Sequence, residues 1–352
     1  MTELSVHEVR AAQLRIQPHV HRTPVITCRH LDRLTGRQLF FKAENLQKTG
    51  SFKARGACNA VFAIKERRPD VPGIVTHSSG NHGQATAYAA ALAGLPCTVV
   101  VPRDTAAVKV DAIRAYGAHV LLCEPTVDAR REVCAAVAAR TGFTVAESSD
   151  SWDTMAGQGT IALELLEQVP DLDAVLVAVS GGGMAAGIAA VISELRPECK
   201  VFAVEPQGKE LGASLRAGRA LWPPLPGGRL LDTLADGCRL PGCGRLAFPL
   251  LCRLVGPRVI TIADRQIAAA TRAFWQHTKL LIEPSAGMAV AAALSDQLPP
   301  QLRRVAVILC GGNVDLDCLG WLAAADGQPA DRPDTRLVND CQTAGLSEHG
   351  DQ

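Results

Sequence analysis

The sequence predicts an α/β protein with largely parallel sheets covered by helices. Three observations lead there. Short β-rich runs alternate with amphipathic helical runs along most of the chain. The run at 174–179 is continuously apolar, as in a strand covered on both faces. The segments richest in Gly, Ser and Asn fall where such runs give way to helices, and open α/β sheets bind ligands at those places.

The elements follow in order. Leu39-Phe40-Phe41-Lys42 has the composition of a strand. Gly50 and Ser51 form a turn and N-cap, which puts Lys53 in the first turn of a helix. Gly73-Ile74-Val75-Thr76 is the next strand, followed by a helix over 81–92. Residues 97–101, Cys-Thr-Val-Val-Val, form a strong strand, 107–116 a helix, 120–122 a strand and 128–140 a helix. The apolar strand at 174–179 leads into a helix over 184–195. A strand at 201–204, a helix at 266–278 and a strand at 305–309 complete the pattern. The stretch 325–352 is polar, holds Pro329 and Pro333 and lacks periodicity, as expected of a flexible tail. A chain of 352 residues exceeds the roughly 250–300 at which single cores split. We therefore expect a small lobe at 73–146 and a large discontinuous one from 1–72 plus 147–324.

Composition narrows the function. Lys and Arg total 36 against 35 Asp and Glu, leaving a net charge of +1. No global charge calls for nucleic acid, membrane or an acidic partner. No apolar stretch approaches the roughly 20 residues of a membrane helix. The opening Met1-Thr2-Glu3-Leu4-Ser5 has neither the basic nor the apolar region of a signal peptide. The 12 cysteines include no CxxC pair and fit buried thiols of a cytoplasmic protein.

Four segments carry the chemistry. In Lys48-Thr49-Gly50-Ser51-Phe52-Lys53, the helix dipole disfavours a cation at Lys53, which would favour a neutral, nucleophilic amine. The segment alone also fits a solvated surface lysine. Thr76-His77-Ser78-Ser79-Gly80-Asn81-His82-Gly83-Gln84 follows a strand and offers backbone N–H groups to an anion such as an amino-acid carboxylate. A plain capped helix start fits it too. Ser180-Gly181-Gly182-Gly183-Met184 curls at a strand-to-helix junction and suits a small phosphate monoester; the alternative is tight strand–helix packing. It is neither a dinucleotide fingerprint nor a nucleotide-triphosphate loop. Cys310-Gly311-Gly312-Asn313 lies past a buried strand, and Glu283 precedes a Pro-Ser helix start.

Together these segments resemble the fold-type II pyridoxal-phosphate enzymes of the tryptophan synthase β-like fold. Within them they resemble most closely the branch of serine and aspartate racemases and serine/threonine dehydratases. SFKARGA, THSSGNHGQA, AYGA, AGQGTIALE, SGGGMAAGIA, LLIEPSAG and GGNVDL occur in the family's order and near its spacing. The match runs from about Val6 to Leu322. The resemblance implies that Lys53 holds the cofactor as a Schiff base and works as a base on one face of the α-carbon. Ser79 would be the acid/base on the other face, a pair that racemisation requires. Phe52, Asn81, Ser180, Gly181, Gly182, Gly183, Met184, Gly237, Glu283 and Cys310 would surround the cofactor. Asn81 would meet the ring's 3-oxygen, and Cys310 the pyridine nitrogen. Ser78, His82 and Arg130 would meet the substrate carboxylate. The small lobe would gate the substrate, and the enzyme would be a homodimer. The implied activity is interconversion of L- and D-serine with loss of the β-hydroxyl to pyruvate and ammonia as a second outcome. An ammonia-lyase with little racemisation is the other reading on the same scaffold.

The chain departs from the serine racemase pattern in places. Glu147-Ser148-Ser149-Asp150-Ser151 is serine-rich, as in animal aspartate racemases, so Ser148 and Ser149 become candidate substrate contacts and aspartate an alternative substrate. Leu240-Pro241 stands where a substrate-contacting serine is usual. Of the implied Mg²⁺ or Ca²⁺ site, Glu205 matches; Leu211 replaces the second carboxylate, Lys209 lies between, and Glu210 is offset. Of an implied ATP effector site, Lys48, Thr49, Gln84, Lys109, Tyr116 and Asn313 match, whereas Cys28, Arg29 and His30 replace Ser-Ser-Ile.

Overall fold

The computed structural model describes residues 4–322 apart from 79, 106 and 223–228. The predicted tail at 325–352 lies outside the described residues. The described residues form two sheets. The larger has the strand order β1 (Val25–Ile26), β2 (Gln38–Lys42), β10 (Arg304–Ile308), β7 (Ala174–Ala178), β8 (Lys200–Pro206), β9 (Val259–Ile262). All its pairings are parallel except β1 with β2. The smaller sheet, with the order β5 (His119–Cys123), β4 (Cys97–Pro102), β3 (Ile74–His77), β6 (Thr144–Val145), is wholly parallel.

The path of the chain explains the arrangement. It leaves the large sheet through α3 (Lys53–Arg67) and builds the small one with α4 (Asn81–Ala93), α5 (Ala107–Ala115) and α6 (Val127–Thr141). It returns through α7 (Trp152–Gln168) to β7 and then α8 (Gly183–Leu195). β7 is buried throughout, which matches its unbroken apolar sequence. α3 packs on α4 and α7, and α7 on α8. The last contact is close because Gly187 has no side chain: a Cβ there would overlap the Met155 carbonyl. One apolar core surrounds the large sheet, and two smaller ones flank the small sheet.

The predicted elements are found with shifted ends; the strand begun at Gly73 runs from Ile74 to His77. Several elements carry no clear sequence signal. β1 and β6 are two residues long. α7 is buried all round from Thr154 to Leu166, so it has no polar stripe to mark its period. The remaining helices are α1 (Val6–Ile16), α2 (Arg29–Thr35), α9 (Leu211–Ala217), α10 (Ala247–Leu254), α11 (Asp264–Thr278) and α12 (Pro284–Leu294). No helix among the described residues is long and apolar enough to cross a membrane.

Candidate active site

The carboxyl ends of β2, β10, β7, β3 and β6 supply the chemistry-bearing loops. Lys53 opens α3, and the chain before it is fastened to the end of β10. Ser51 bridges Gly311, Phe52 N–H donates to the Cys310 carbonyl at 3.0 Å, and Gly312 N–H donates to the Gly50 carbonyl at 2.9 Å. The cap position belongs to Phe52, which corrects the expectation for Ser51: Ser51 is extended, and its buried hydroxyl has no partner among the described residues. Lys53 Nζ donates to the Ser148 carbonyl at 2.8 Å and lies 5.1 Å from the Phe52 ring centre. Burial pushes its pKa down to about 8, against the opposing pull of Cys238, Cys310 and Glu283.

The glycine loop follows β7. Gly182 takes the left-handed backbone at φ 92°, which turns the chain into α8 at Gly183. Met184 is buried in the first turn, and Ser180 precedes the loop. A Cβ on Gly181 would overlap Ser149 Oγ, and one on Gly183 would overlap the Ser149 carbonyl. Ser149 therefore sits against the glycine loop, and Ser148 presents its carbonyl to Lys53.

Asn81 Nδ2 donates to both Glu283 carboxylate oxygens at 3.0 Å, and its Oδ1 accepts from Asn313 Nδ2 at 2.8 Å. Glu283, buried beside Asp236, is raised to about 7. Cys310 Sγ lies 3.8 Å from Glu283 Oε1, and burial with that neighbour holds its thiol protonated. Gly237 N–H donates to Ser285 Oγ at 2.9 Å and to Asp236 Oδ1 at 2.8 Å.

Ser79 lies outside the described residues. Ser78 Oγ accepts from Gly80 N–H at 3.2 Å. His82 is buried, with Nε2 3.0 Å from the Ala146 carbonyl and 3.2 Å from Thr86 Oγ1. Burial, then Lys53, drives its pKa down to about 3, so the imidazole is neutral. Arg130 donates from Nε to the Thr126 carbonyl at 3.3 Å. Burial lowers its pKa, with Arg131 and Arg239 as neighbouring cations.

The expected effector residues are only partly gathered. Asn313 Nδ2 donates to the Thr49 carbonyl at 2.8 Å, which joins these two to Asn81. Lys109 instead pairs with Asp236 at 2.8 Å, and Tyr116 stacks edge-on against Tyr88. Gln84 is buried in α4, and Lys48 lies in a short 3-10 turn. Glu205 is not free to ligate: it accepts from Leu211 N–H, Gly212 N–H and Thr261 Oγ1. Among the described residues no three His, Cys, Asp or Glu gather as a metal site.

Sequence reasoning missed Asp236, which ties Lys109 to the Gly237 turn, and the ion cluster behind Lys53. In that cluster Arg55 holds Glu44 and Glu164, and Lys42 holds Glu164. Residue types alone gave no signal, because the partners are as much as 122 positions apart.

A lysine with a lowered pKa, a glycine cup at a helix start and a buried neutral thiol define a class: enzymes that anchor a phosphate-bearing carbonyl cofactor on an amine. The sequence profile of the pyridoxal-phosphate dependent enzymes matches residues 16–311, and the chain belongs to that family. Serine racemase from Mus musculus is 42% identical over 92% of this chain and 95% of its own. A beta-hydroxyaspartate dehydratase from Paracoccus denitrificans is 41% identical over 89% and 98%. The crystal structure of a pyridoxal 5'-phosphate-dependent aspartate racemase superposes with a TM-score of 0.88 at 48% identity, covering 91% of this chain and 99% of that one.

The residues fit pyridoxal phosphate. The loop at 181–183 leaves no room for side chains, α8 aims its N-terminal N–H groups there, and the Lys53 amine is easily made neutral. Buried Ser51 Oγ and His82 Nδ1 have no protein partner among the described residues.

Proposed function

We propose that the enzyme interconverts L- and D-serine and, as a second outcome, eliminates the β-hydroxyl to give pyruvate and ammonia. The observation that carries the reading is Lys53, an amine with pKa about 8 tied to Ser148, whose neighbour Ser149 abuts the glycine loop. The bound cofactor would supply an electron sink for the charge left when the α-carbon loses its proton. The chain's residues do the rest. Lys53 Nζ anchors the cofactor and moves the Cα proton on one face, and Ser79 serves the other face. The N–H groups opening α4, with Ser78, Arg130 and the His82 backbone, orient the carboxylate. Gly181, Gly182, Gly183 and Met184 hold the phosphate. Cys310, kept as a neutral thiol, puts no carboxylate charge beside the ring nitrogen, which limits side reactions.

A second reading is aspartate racemisation. Its support is the serine-rich loop at 147–151, the 48% identity to an aspartate racemase and the positive field around Arg130. Burial, then Arg130 and Arg131, pushes His77 down to about 4, as beside a site for a second carboxylate. The lobes are proposed as 1–72 with 147–324 and a substrate-gating 73–146. The proposal also makes the enzyme a cytoplasmic homodimer, since the cysteines suit a reducing compartment and the resemblance implies the dimer. ATP would act through Lys48, Thr49, Gln84, Lys109, Tyr116 and Asn313; an unchanged rate with Mg-ATP removes that part.

The test is to incubate the cofactor-loaded protein separately with L-serine and L-aspartate. Chiral chromatography and a keto-acid assay follow the products, with Lys53→Ala as blank. D-serine with some pyruvate supports the first reading. D-aspartate with little D-serine moves the assignment to the second. Keto acid without inverted product makes the enzyme an ammonia-lyase.

A further inference from the structure

The divalent cation implied near Glu205 does not fit the residues present. A hard cation takes several oxygen ligands. Glu205 Oε2 already accepts from Leu211 N–H at 2.7 Å, and Oε1 accepts from Gly212 N–H at 3.2 Å and Thr261 Oγ1 at 3.0 Å. Leu211, at the second ligand position, is a fully buried leucine. Glu210 is exposed.

A different positive charge is present. Lys209 has 0% of its surface exposed, which is rare for a lysine without a purpose-built partner. Its Nζ donates to the Leu240 carbonyl. Burial lowers its pKa, while Cys243, Cys238 and Glu205 pull it back up. Burial holds the Cys238 and Cys243 thiols protonated, at about 12 and about 11.

Leu240 belongs to the wall over the glycine loop. Gly244 N–H donates to the Gly181 carbonyl at 2.9 Å, and Cys243 Sγ lies 3.9 Å from the Ser180 carbonyl. A Cβ on Gly181 would touch the Leu240 side chain at 3.5 Å. The buried ammonium thus links the end of β8 to the segment that covers the phosphate cup.

We propose that Lys209 is this enzyme's resident cation: its buried ammonium, on the Leu240 carbonyl, stands in place of a divalent ion and positions residues 238–244 over the cofactor phosphate. Cofactor retention and fold stability are then independent of Mg²⁺ and Ca²⁺. The inference rests on reading 180–184 as the phosphate cup and is indifferent to the choice between serine and aspartate.

The test uses the cofactor-loaded enzyme. Metal analysis should find no stoichiometric Mg²⁺ or Ca²⁺. Dialysis against EDTA should change neither the melting temperature nor cofactor absorbance, and adding either ion back should do nothing. Lys209→Met should weaken cofactor affinity roughly ten- to a hundredfold, the loss of one charge-assisted hydrogen bond. Lys209→Arg should recover much of it, and Lys209→Ala should improve with added ammonium. Bound divalent metal, a melting temperature that falls in EDTA, unchanged affinity in Lys209→Met, or Lys209→Ala indifferent to ammonium would each overturn the proposal. If no variant folds, the EDTA and metal-content measurements decide alone. A Gly183→Ala protein that keeps full cofactor affinity would instead sink the cup reading.

Discussion

Lys53 shows how far a single residue's chemistry is set by its surroundings. Burial works against the ammonium form, and the lowered pKa of about 8 is the result. The free amine exists mainly above that pH. The apoenzyme should therefore take up pyridoxal phosphate faster as pH rises through about 8, and the rate should then level. Stopped-flow absorbance across the range tests this; a rate still climbing to the ordinary lysine value would show that the amine is not desolvated. The sign for stability is consistent with this. Between the folded and the unfolded pKa, the unfolded chain binds more protons at Lys53. Lys53 thus makes the apoprotein more stable as pH rises from about 8 towards 10.5. The lysine itself was legible in SFKARGA, but its depressed pKa was not. Its modulators Cys238, Glu283 and Cys310 are distant in sequence, and the fold alone brings them to it. His82 is the reverse case. It looked like a polar site residue, and burial leaves it a neutral ring held by Ala146 and Thr86.

The β7–loop–α8 element was legible because one signal served both levels: an unbroken apolar strand, then glycines, then a helix. What the sequence could not supply is the neighbour, since Ser149 arrives from the return crossing after β6. That neighbour makes the glycines unequal. At Gly181 an added methyl meets the Ser149 hydroxyl, which can rotate away. At Gly183 it meets the Ser149 backbone carbonyl, which cannot. Gly183→Ala should therefore cost about 1–3 kcal/mol and release the cofactor, with Gly181→Ala markedly milder. Urea melts and cofactor titration of both variants test the order, and equal losses would refute the placement of the 147–151 loop. α7 was missed for the opposite reason. It is buried on every side from Thr154 to Leu166, and periodicity cannot mark a stretch that has no wet face.

At the scale of the molecule, the chain must leave the large sheet, build a second and return, and α3 and α7 are the crossing points. Both crossings are fastened at one buried cluster. Arg55 from α3 donates to Glu44 at 2.8 Å and to Glu164 of α7 at 2.7 Å. Lys42 at the end of β2 donates to Glu164 at 2.6 Å and to the Thr23 carbonyl at 2.8 Å. Two cations face two carboxylates, so the cluster is neutral, and each member gains hydrogen bonds that offset its lost hydration. Alternation of strand and helix pointed to parallel sheets and chain length to two lobes, but nothing in sequence marked this joint. Removing one member is expected to be far worse than the pair energies suggest, because it strands a buried charge. Arg55→Met keeps the volume but leaves Glu44 with Thr23 alone and Glu164 with Lys42. The chain should lose about 3–5 kcal/mol in urea denaturation of the apoprotein. Glu44→Gln in the Arg55→Met background should return part of that loss, since it removes the uncompensated carboxylate. If the double variant is no more stable than the single one, the penalty comes from lost packing and not from stranded charge.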